Sequence, residues 1–162
     1  MKILLKNKRR KNTGVIFSKR NKILDVDIDE ALKLSKVYDM TILEHNVDKP
    51  KKGKDVIFLQ ELIYKIGGIE EFLTNIVTEY EDYNITLYYK KGDPEQLINL
   101  SRFVSLKKFD DNTAINCDVM LISNHTISKI LDSPKVKAKK KYGIIHANFK
   151  EIKDINDLKF YP

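Results

Sequence analysis

The sequence predicts an α/β fold in which a parallel sheet follows a small α+β unit. Two observations lead to this prediction. After residue 55, short apolar runs alternate with helical patterns, which is the order of βαβ units in parallel sheets. The excess positive charge lies in the first third of the chain: residues 1–54 contain 15 Lys and Arg against 7 Asp and Glu, whereas residues 55–162 contain 15 against 16. This asymmetry indicates two units of different character.

The small basic unit is predicted to occupy residues 1–48, and residues 49–54 are predicted to be a solvated, lysine-rich linker. The β-prone runs of the unit are residues 2–5, 14–18, 22–26 and 41–43. The second and third runs are separated by three residues, which is typical of a hairpin. Asp27, three residues before Glu30, resembles the first residue of a capping box. We therefore expect a short helix that ends near Val37.

The larger unit is predicted to occupy residues 55–162. Its strand patterns are residues 56–59, 85–89, 103–106, 117–123 and 142–146. After the first strand, apolar residues recur at helical spacing from Ile69 to Tyr80, which predicts an amphipathic helix. Shorter helical segments are expected at residues 95–100 and 126–131. Strands and helices of these lengths, in this order, predict a Rossmann-like parallel sheet.

A glycine pair, Gly67 and Gly68, precedes the amphipathic helix. Ligands of open α/β sheets bind at the carboxyl ends of the strands, and the first helix begins at that edge. Free backbone N–H groups and the helix dipole favour phosphate at such a helix start. The residues alone leave a second interpretation open, in which the two glycines form a tight turn without a ligand.

Three segments resemble family 4 glycosyltransferases of the GT-B fold. Residues 56–77, VIFLQELIYKIGGIEEFLTNIV, resemble the apolar strand, short loop, Gly-Gly-x-Glu turn and helix with which those enzymes begin. Residues 117–123, CDVMLIS, resemble a later strand of the same domain. Residues 142–146, YGIIH, resemble the strand that ends in a histidine at the interdomain cleft. The resemblance covers residues 55 to about 150 and implies an incomplete GT-B N-terminal domain.

The resemblance also implies roles for four residues. Gly67, Gly68 and Glu70 would be the donor-binding residues: the two glycines would form the loop facing the donor diphosphate or the acceptor, and Glu70 would lie in the first turn of the helix. His146 would be the catalytic residue, in the cleft near the transferred sugar. The reaction implied is transfer of a sugar from a nucleotide-diphosphate sugar to a hydroxyl group of a sugar acceptor, with retention. It requires no metal and no cofactor beyond the donor substrate.

The chain departs from the family in two ways. The second domain of these enzymes, which binds the nucleotide sugar through paired glutamates and basic residues, has no counterpart before Pro162. The family also begins at the strand found here at Val56, so residues 1–54 are an extension. We therefore expect the acceptor-side portion of a retaining glycosyltransferase. It would depend on a missing C-terminal donor domain or a partner chain and would be inactive as this chain alone.

Two other functions stay open. The chain could be a docking or structural protein, such as a phage-associated one, that uses the basic unit to anchor an anionic partner. Alternatively, residues 1–54 could bind nucleic acid. The lysines and arginines between Lys6 and Lys22 favour both, but only Phe17 lies among them, so stacking on bases is poorly supported. An ordinary solvated basic face explains the same residues.

Membrane spans, disulfides and metal sites are not predicted. No run approaches the length of a transmembrane helix, and the only cysteine is Cys117, which excludes an internal disulfide. A cytoplasmic location is expected. His45 and His125 have no ligand spacing with His146, and a calcium loop from Asp25 lacks the required glycine and glutamate.

Overall fold

The computed structural model describes residues 1–6, 21–48, 53–64, 68–79, 83–122 and 134–144, with side chains in the helix 68–79 for residues 71–76. These residues form one eight-stranded sheet and three helices. In chain order the elements are β1 (Lys2–Lys6), β2 (Lys22–Asp25), α1 (Ile28–Ser35), β3 (Asp39–His45), β4 (Asp55–Ile63), α2 (Gly68–Glu79), β5 (Asn84–Gly92), α3 (Pro94–Leu100), β6 (Ser105–Lys108), β7 (Ile115–Ile122) and β8 (Val136–Gly143).

The sheet is mixed, and its larger part is parallel. The spatial order of the strands is β2-β1-β3-β6-β5-β4-β7-β8. The five strands from β4 onward pair in parallel with one another. Numbered among themselves in chain order, they lie in the order 3-2-1-4-5, which is the order of the Rossmann fold. The predicted Rossmann-like parallel sheet is confirmed at this level.

The first three strands extend the sheet beyond β6 in antiparallel fashion. The junction is short, because β3 pairs with β6 only at Glu44 with Lys107 and at His45 with Leu106. Residues 49–52 of the predicted linker and the predicted strand 14–18 lie outside the described residues. The division of the chain at residues 49–54 therefore stays a prediction.

One face of the sheet is covered by the three helices. Its buried cluster combines residues of the first strands and α1 with residues of the parallel strands, α2 and α3. The buried members are Ile3, Ala31, Met40, Ile42, Phe58, Ile63, Leu73, Leu87, Tyr89, Leu97, Ile98, Leu100, Val104 and Leu106. A separate cluster lies on the other side of the parallel strands and includes Ile57, Leu59 and Cys117. Burial of apolar side chains from both parts of the sheet stabilises them together.

Two helices begin at aspartate caps. Asp27 Oδ1 accepts a hydrogen bond of 2.7 Å from the backbone N–H of Glu30, as the sequence predicted for α1. Asp93 Oδ1 accepts one of 3.0 Å from Gln96 at the start of α3. Each cap satisfies a donor that the first turn leaves without an intrahelical partner.

The predictions for β4, α2, β5 and β7 are confirmed, but the last strand was placed wrongly. The sequence predicted a strand at residues 142–146, whereas β8 spans Val136–Gly143 and takes in the lysines at 139–141. β8 is the last strand of the sheet, and most of its side chains are exposed. Lysines are common in such an edge strand because they discourage pairing with other chains. The sequence prediction followed the apolar residues around Ile144 and therefore left these lysines out of the strand. The predicted helix 126–131 lies outside the described residues.

Candidate functional site

The carboxyl end of β4 lies where the strand order reverses. From β4 the chain proceeds to β5 and β6 on one side and then to β7 and β8 on the other. The described pairing of β4 with β7 ends at Leu59 with Ile122, whereas its pairing with β5 continues to Ile63 with Gly92. The last residues of β4 therefore extend past their described β7 partners. Such a switch point is where open α/β sheets form a ligand crevice.

α2 begins at this same edge. Its first residue is Gly68, and Glu70 lies in its first turn. The N–H groups of a first helical turn have no intrahelical acceptor, so a helix start at the switch point offers donors to an anion. Of the four residues that the sequence singled out, Gly68 and Glu70 therefore lie together in α2. Gly67 and His146 lie outside the described residues, and the roles of all four stay predictions.

An aromatic contact fixes α2 on β4. The rings of Phe58 and Phe72 lie 6.2 Å apart at an interplanar angle of 64°, an edge-to-face arrangement. From Phe72 back to Gly68 the helix advances about 6 Å toward its start. From Phe58 to Gln60 the strand advances about 6.6 Å toward the same edge. Gln60 therefore lies level with the first turn of α2.

Gln60 is a buried polar residue in this position. Its side chain is 2% exposed, and alternation along the strand places it on the same face as Phe58, which α2 covers. Its Nε2 donates a hydrogen bond of 2.9 Å to the carbonyl of Leu62, so the amide is directed toward the carboxyl end of β4. Within the described structure, Gln60 Oε1 is buried and has no hydrogen-bond partner.

Sequence reasoning missed Gln60. The apolar run predicts a strand that ends at Leu59, whereas β4 continues to Ile63. One feature of the sequence could have indicated the longer strand. After Gln60 and Glu61, the apolar pattern resumes at Leu62 and Ile63. A strand interrupted in this way is typical of a polar side chain inserted into a buried sheet, where it requires a partner.

A second feature lies at the opposite edge of the sheet. A cleft of about 510 Å³ opens at the amino ends of β4, β7 and β8. It is lined by Asp55, Asn116, Cys117, Asp118, Val136, Lys137, Ala138, Lys139 and Lys141. The three lysines occupy alternate positions of β8, so they line one side of that strand as a row. Below, this group of Lys137, Lys139 and Lys141 is called the lysine row.

Asp118 neutralises part of the lysine row. Its carboxylate lies 2.7 Å from Lys139 Nζ and accepts a hydrogen bond of 3.0 Å from the backbone N–H of Asp55. The hydrogen bond from Lys139, followed by that from Asp55, lowers the pKa of Asp118. Nearby Cys117 is 7% exposed, and burial, followed by the charge of Asp118, raises the pKa of its thiol. A raised pKa favours the neutral thiol, which is a poor nucleophile.

Comparison with known proteins adds no assignment. No family model, no curated protein and no solved structure matches this chain. Among the residues that the structure describes, no group of three or more His, Cys, Asp and Glu residues is arranged to hold a metal ion. No helix within the same residues is long and apolar enough to cross a membrane.

Proposed function

We propose that this chain is the acceptor-side portion of a retaining glycosyltransferase. The enzyme would move a sugar from a nucleotide-diphosphate sugar to a hydroxyl group of a sugar acceptor in the cytoplasm. The observation that supports this proposal most is the start of α2 at Gly68, next to the switch point of a sheet with 3-2-1-4-5 order. That arrangement offers backbone donors and a positive helix end to a diphosphate.

In this proposal the residues at the switch point have different roles in binding and catalysis. Gly67 and Gly68 let the backbone approach the donor diphosphate or the acceptor, and Glu70 belongs to the same binding site. His146 lies close to the transferred sugar. A C-terminal donor domain or a partner chain supplies the remaining contacts to the nucleotide, as the resemblance to GT-B enzymes implies.

The proposal is tested by donor turnover. The protein is isolated from its natural source together with whatever copurifies, and release of nucleoside diphosphate is measured with uridine, guanosine and thymidine diphosphate sugars. We expect release from at least one donor in the presence of a mixture of sugar acceptors. Gly68→Val should reduce that rate, because a branched side chain hinders approach to the helix start.

Lys36→Val is the control, because Lys36 is exposed at the end of α1, outside the parallel strands and α2. It should leave the rate unchanged. Absence of release from every donor, with no donor bound, would overturn the proposal. An equal loss of activity in both variants would show that Gly68 has no special role.

The lysine row supports a second candidate, docking to an anionic partner. Three lysines line one cleft, with Lys140 exposed beside them, and Asp118 pairs with Lys139. Basic residues in a row attract polyanions in a salt-dependent way. The basic residues 7–20, on which the docking and nucleic-acid alternatives first depended, lie outside the described residues, so those roles stay proposals.

This candidate is tested with inorganic polyphosphate as the probe. The double variant Lys137→Ser, Lys141→Ser should weaken binding and reduce its dependence on salt, because fewer counterions are released. The control is Lys33→Ser, Lys36→Ser, which removes the same charge from exposed positions at α1. Equal binding by both double variants would remove the lysine row as a docking surface. Loss of binding only after substitution within residues 7–20 would favour the nucleic-acid alternative.

A further inference from the structure

Gln60 Oε1 is a buried acceptor without a donor in the described structure. Leaving such a group unpaired is costly, and most buried polar groups in proteins have a partner. The amide orientation is already fixed, because Nε2 donates to the Leu62 carbonyl. The acceptor is therefore held in place, and its natural partner is absent from the described residues.

The position of Gln60 points to a ligand as that partner. It lies on the face covered by α2, level with Gly68, and just past the described pairing of β4 with β7. An acceptor of the strand and the donors of a helix start therefore lie at the same edge of the sheet. The two groups differ in what they can bind, and this difference restricts the chemistry of the ligand.

A phosphate group satisfies only the helix start. Phosphate oxygens accept hydrogen bonds from backbone N–H groups, but the diphosphate of a sugar nucleotide is fully ionised at neutral pH and has no proton to give to an amide oxygen. Gln60 Oε1 requires a donor, and the donors of a neutral sugar are its hydroxyl groups. A ligand with a phosphate joined to a sugar supplies both groups at neighbouring positions.

We propose that Gln60 is a specificity-determining residue that accepts a hydrogen bond from a sugar hydroxyl of a ligand whose phosphate lies at the start of α2. This inference rests on the proposed function and names the ligand class of the same site: sugar phosphates and sugar nucleotides. The hydroxyl can belong to the hexose or to the ribose of a nucleotide. The experiment separates these two sources.

The first experiment compares affinities by titration calorimetry. The probes are inorganic pyrophosphate, uridine diphosphate and uridine diphosphate glucose, with guanosine diphosphate mannose as a second sugar nucleotide. The variant is Gln60→Met, which has nearly the same length and replaces the amide by a weakly accepting thioether. The control is Gln96→Met, which changes the only other glutamine of the chain, on α3.

We expect Gln60→Met to bind a sugar nucleotide about tenfold more weakly, the effect of one lost hydrogen bond. Its affinity for pyrophosphate should stay within about twofold of the wild type, because the helix start is intact. Gln96→Met should bind every probe as the wild type does. A loss for uridine diphosphate as large as that for its glucose ester assigns the hydroxyl to the ribose, and a loss for the ester alone assigns it to the hexose.

A second measurement needs no variant. Selective ¹⁵N labelling of glutamine gives two side-chain amide groups, Gln60 and Gln96, because the chain contains no others. A sugar nucleotide should shift the Gln60 amide signals strongly, pyrophosphate should shift them weakly, and neither should shift those of Gln96. This readout applies to the folded wild-type protein even if Gln60→Met does not fold.

The outcomes separate this inference from the function on which it rests. If the wild type binds no probe, the inference fails, and the proposed function fails with it only if the protein with its copurifying partner also releases no nucleoside diphosphate. If the wild type binds a sugar nucleotide while Gln60→Met binds it equally well and the Gln60 amide signals stay in place, only the inference fails. An equal loss for pyrophosphate and sugar nucleotide, together with a lower melting temperature, would make Gln60 a structural residue and also overturn the inference.

Discussion

The hydroxyl of Tyr89 joins two parts of the sheet that are distant in the chain. Tyr89 lies on β5 and donates a hydrogen bond to the backbone carbonyl of Ile42 on β3. The described pairing of β3 with β6 ends at His45 and Glu44, so no described β6 residue pairs with Ile42. Ile42 pairs with Ile3 of β1, and beyond the described β3–β6 pairing the tyrosine hydroxyl is a further donor to its carbonyl. Burial raises the pKa of Tyr89 well above the ordinary range of tyrosine, which keeps the hydroxyl protonated as a donor.

We expect Tyr89→Phe to lower the free energy of unfolding by about 1–2 kcal/mol, because a buried hydrogen bond to the Ile42 carbonyl would be lost. Urea unfolding at pH 7 measures this change. Tyr88→Phe is the matched control, since Tyr88 directly precedes Tyr89 on β5 and belongs to the buried cluster on the other side of the sheet. An equal effect of the two variants would show that the Ile42 hydrogen bond contributes nothing specific.

Gly92 ends β5 in a crowded position. A Cβ atom added there would lie 2.7 Å from Leu97 Cδ1 and 3.2 Å from Ile63 Cβ. Leu97 and Ile63 are 1% and 2% exposed, so neither side chain can move away into solvent. The end of β5, the end of β4 and α3 therefore meet at a site that has room only for a hydrogen atom.

Gly92→Ala should destabilise the protein by about 1–3 kcal/mol through overpacking. The midpoint of urea unfolding measures the loss, and Gly143→Ala at the exposed end of β8 provides the control. Equal midpoints for Gly92→Ala and the wild type would mean that Leu97 repacks without cost. That result would contradict the description of a tight junction.

At the scale of elements, α1 shows how a local signal determines a helix start. Asp27 was predicted as its cap, and its carboxylate accepts from the Glu30 N–H in the structure. Asp27→Ala should lower the free energy of unfolding by about 1 kcal/mol, and Asp27→Asn should restore most of it, because asparagine also caps helices. Thermal or urea unfolding tests the pair. If asparagine destabilises as much as alanine, the charge of Asp27 matters and the cap geometry does not.

The elements best predicted from sequence are those with a strong local pattern. Strand β4 and helix α2 carry an apolar run and a helical repeat, and both were found near the predicted positions. Strand β8 was misplaced because its stability depends on pairing with β7, which a pattern of lysines does not reveal. Gln60 was missed for a related reason, since the burial of a polar side chain depends on the helix that covers it.

At the scale of the whole molecule, the strand order could not be read from the sequence in full. The βαβ pattern predicted a parallel Rossmann-like sheet, and its 3-2-1-4-5 order follows from the pairing of β4 with both β5 and β7. Nothing in residues 1–48 indicated that β3 would pair with β6. That junction consists of two described pairs of residues that are far apart in the chain, and local sequence patterns do not predict such contacts.

The switch point and the lysine row lie at opposite edges of the same sheet. The first is formed by the carboxyl end of β4 and the start of α2, and the second lies along β8, next to the amino ends of β4 and β7, with Asp118. A sugar nucleotide and a polyanion should therefore perturb different residues. This separation allows a single experiment to decide between the enzymatic proposal and the docking proposal.

That experiment is a backbone amide NMR titration of the intact chain with the sugar nucleotides named above. If the switch point is the ligand site of a glycosyltransferase, the largest shifts should fall on Gln60–Ile63 and on Gly68–Glu70, with Lys137–Lys141 unchanged. Shifts confined to Lys137–Lys141, or no shift with any donor, would contradict the account and leave docking to an anionic partner as the function to pursue.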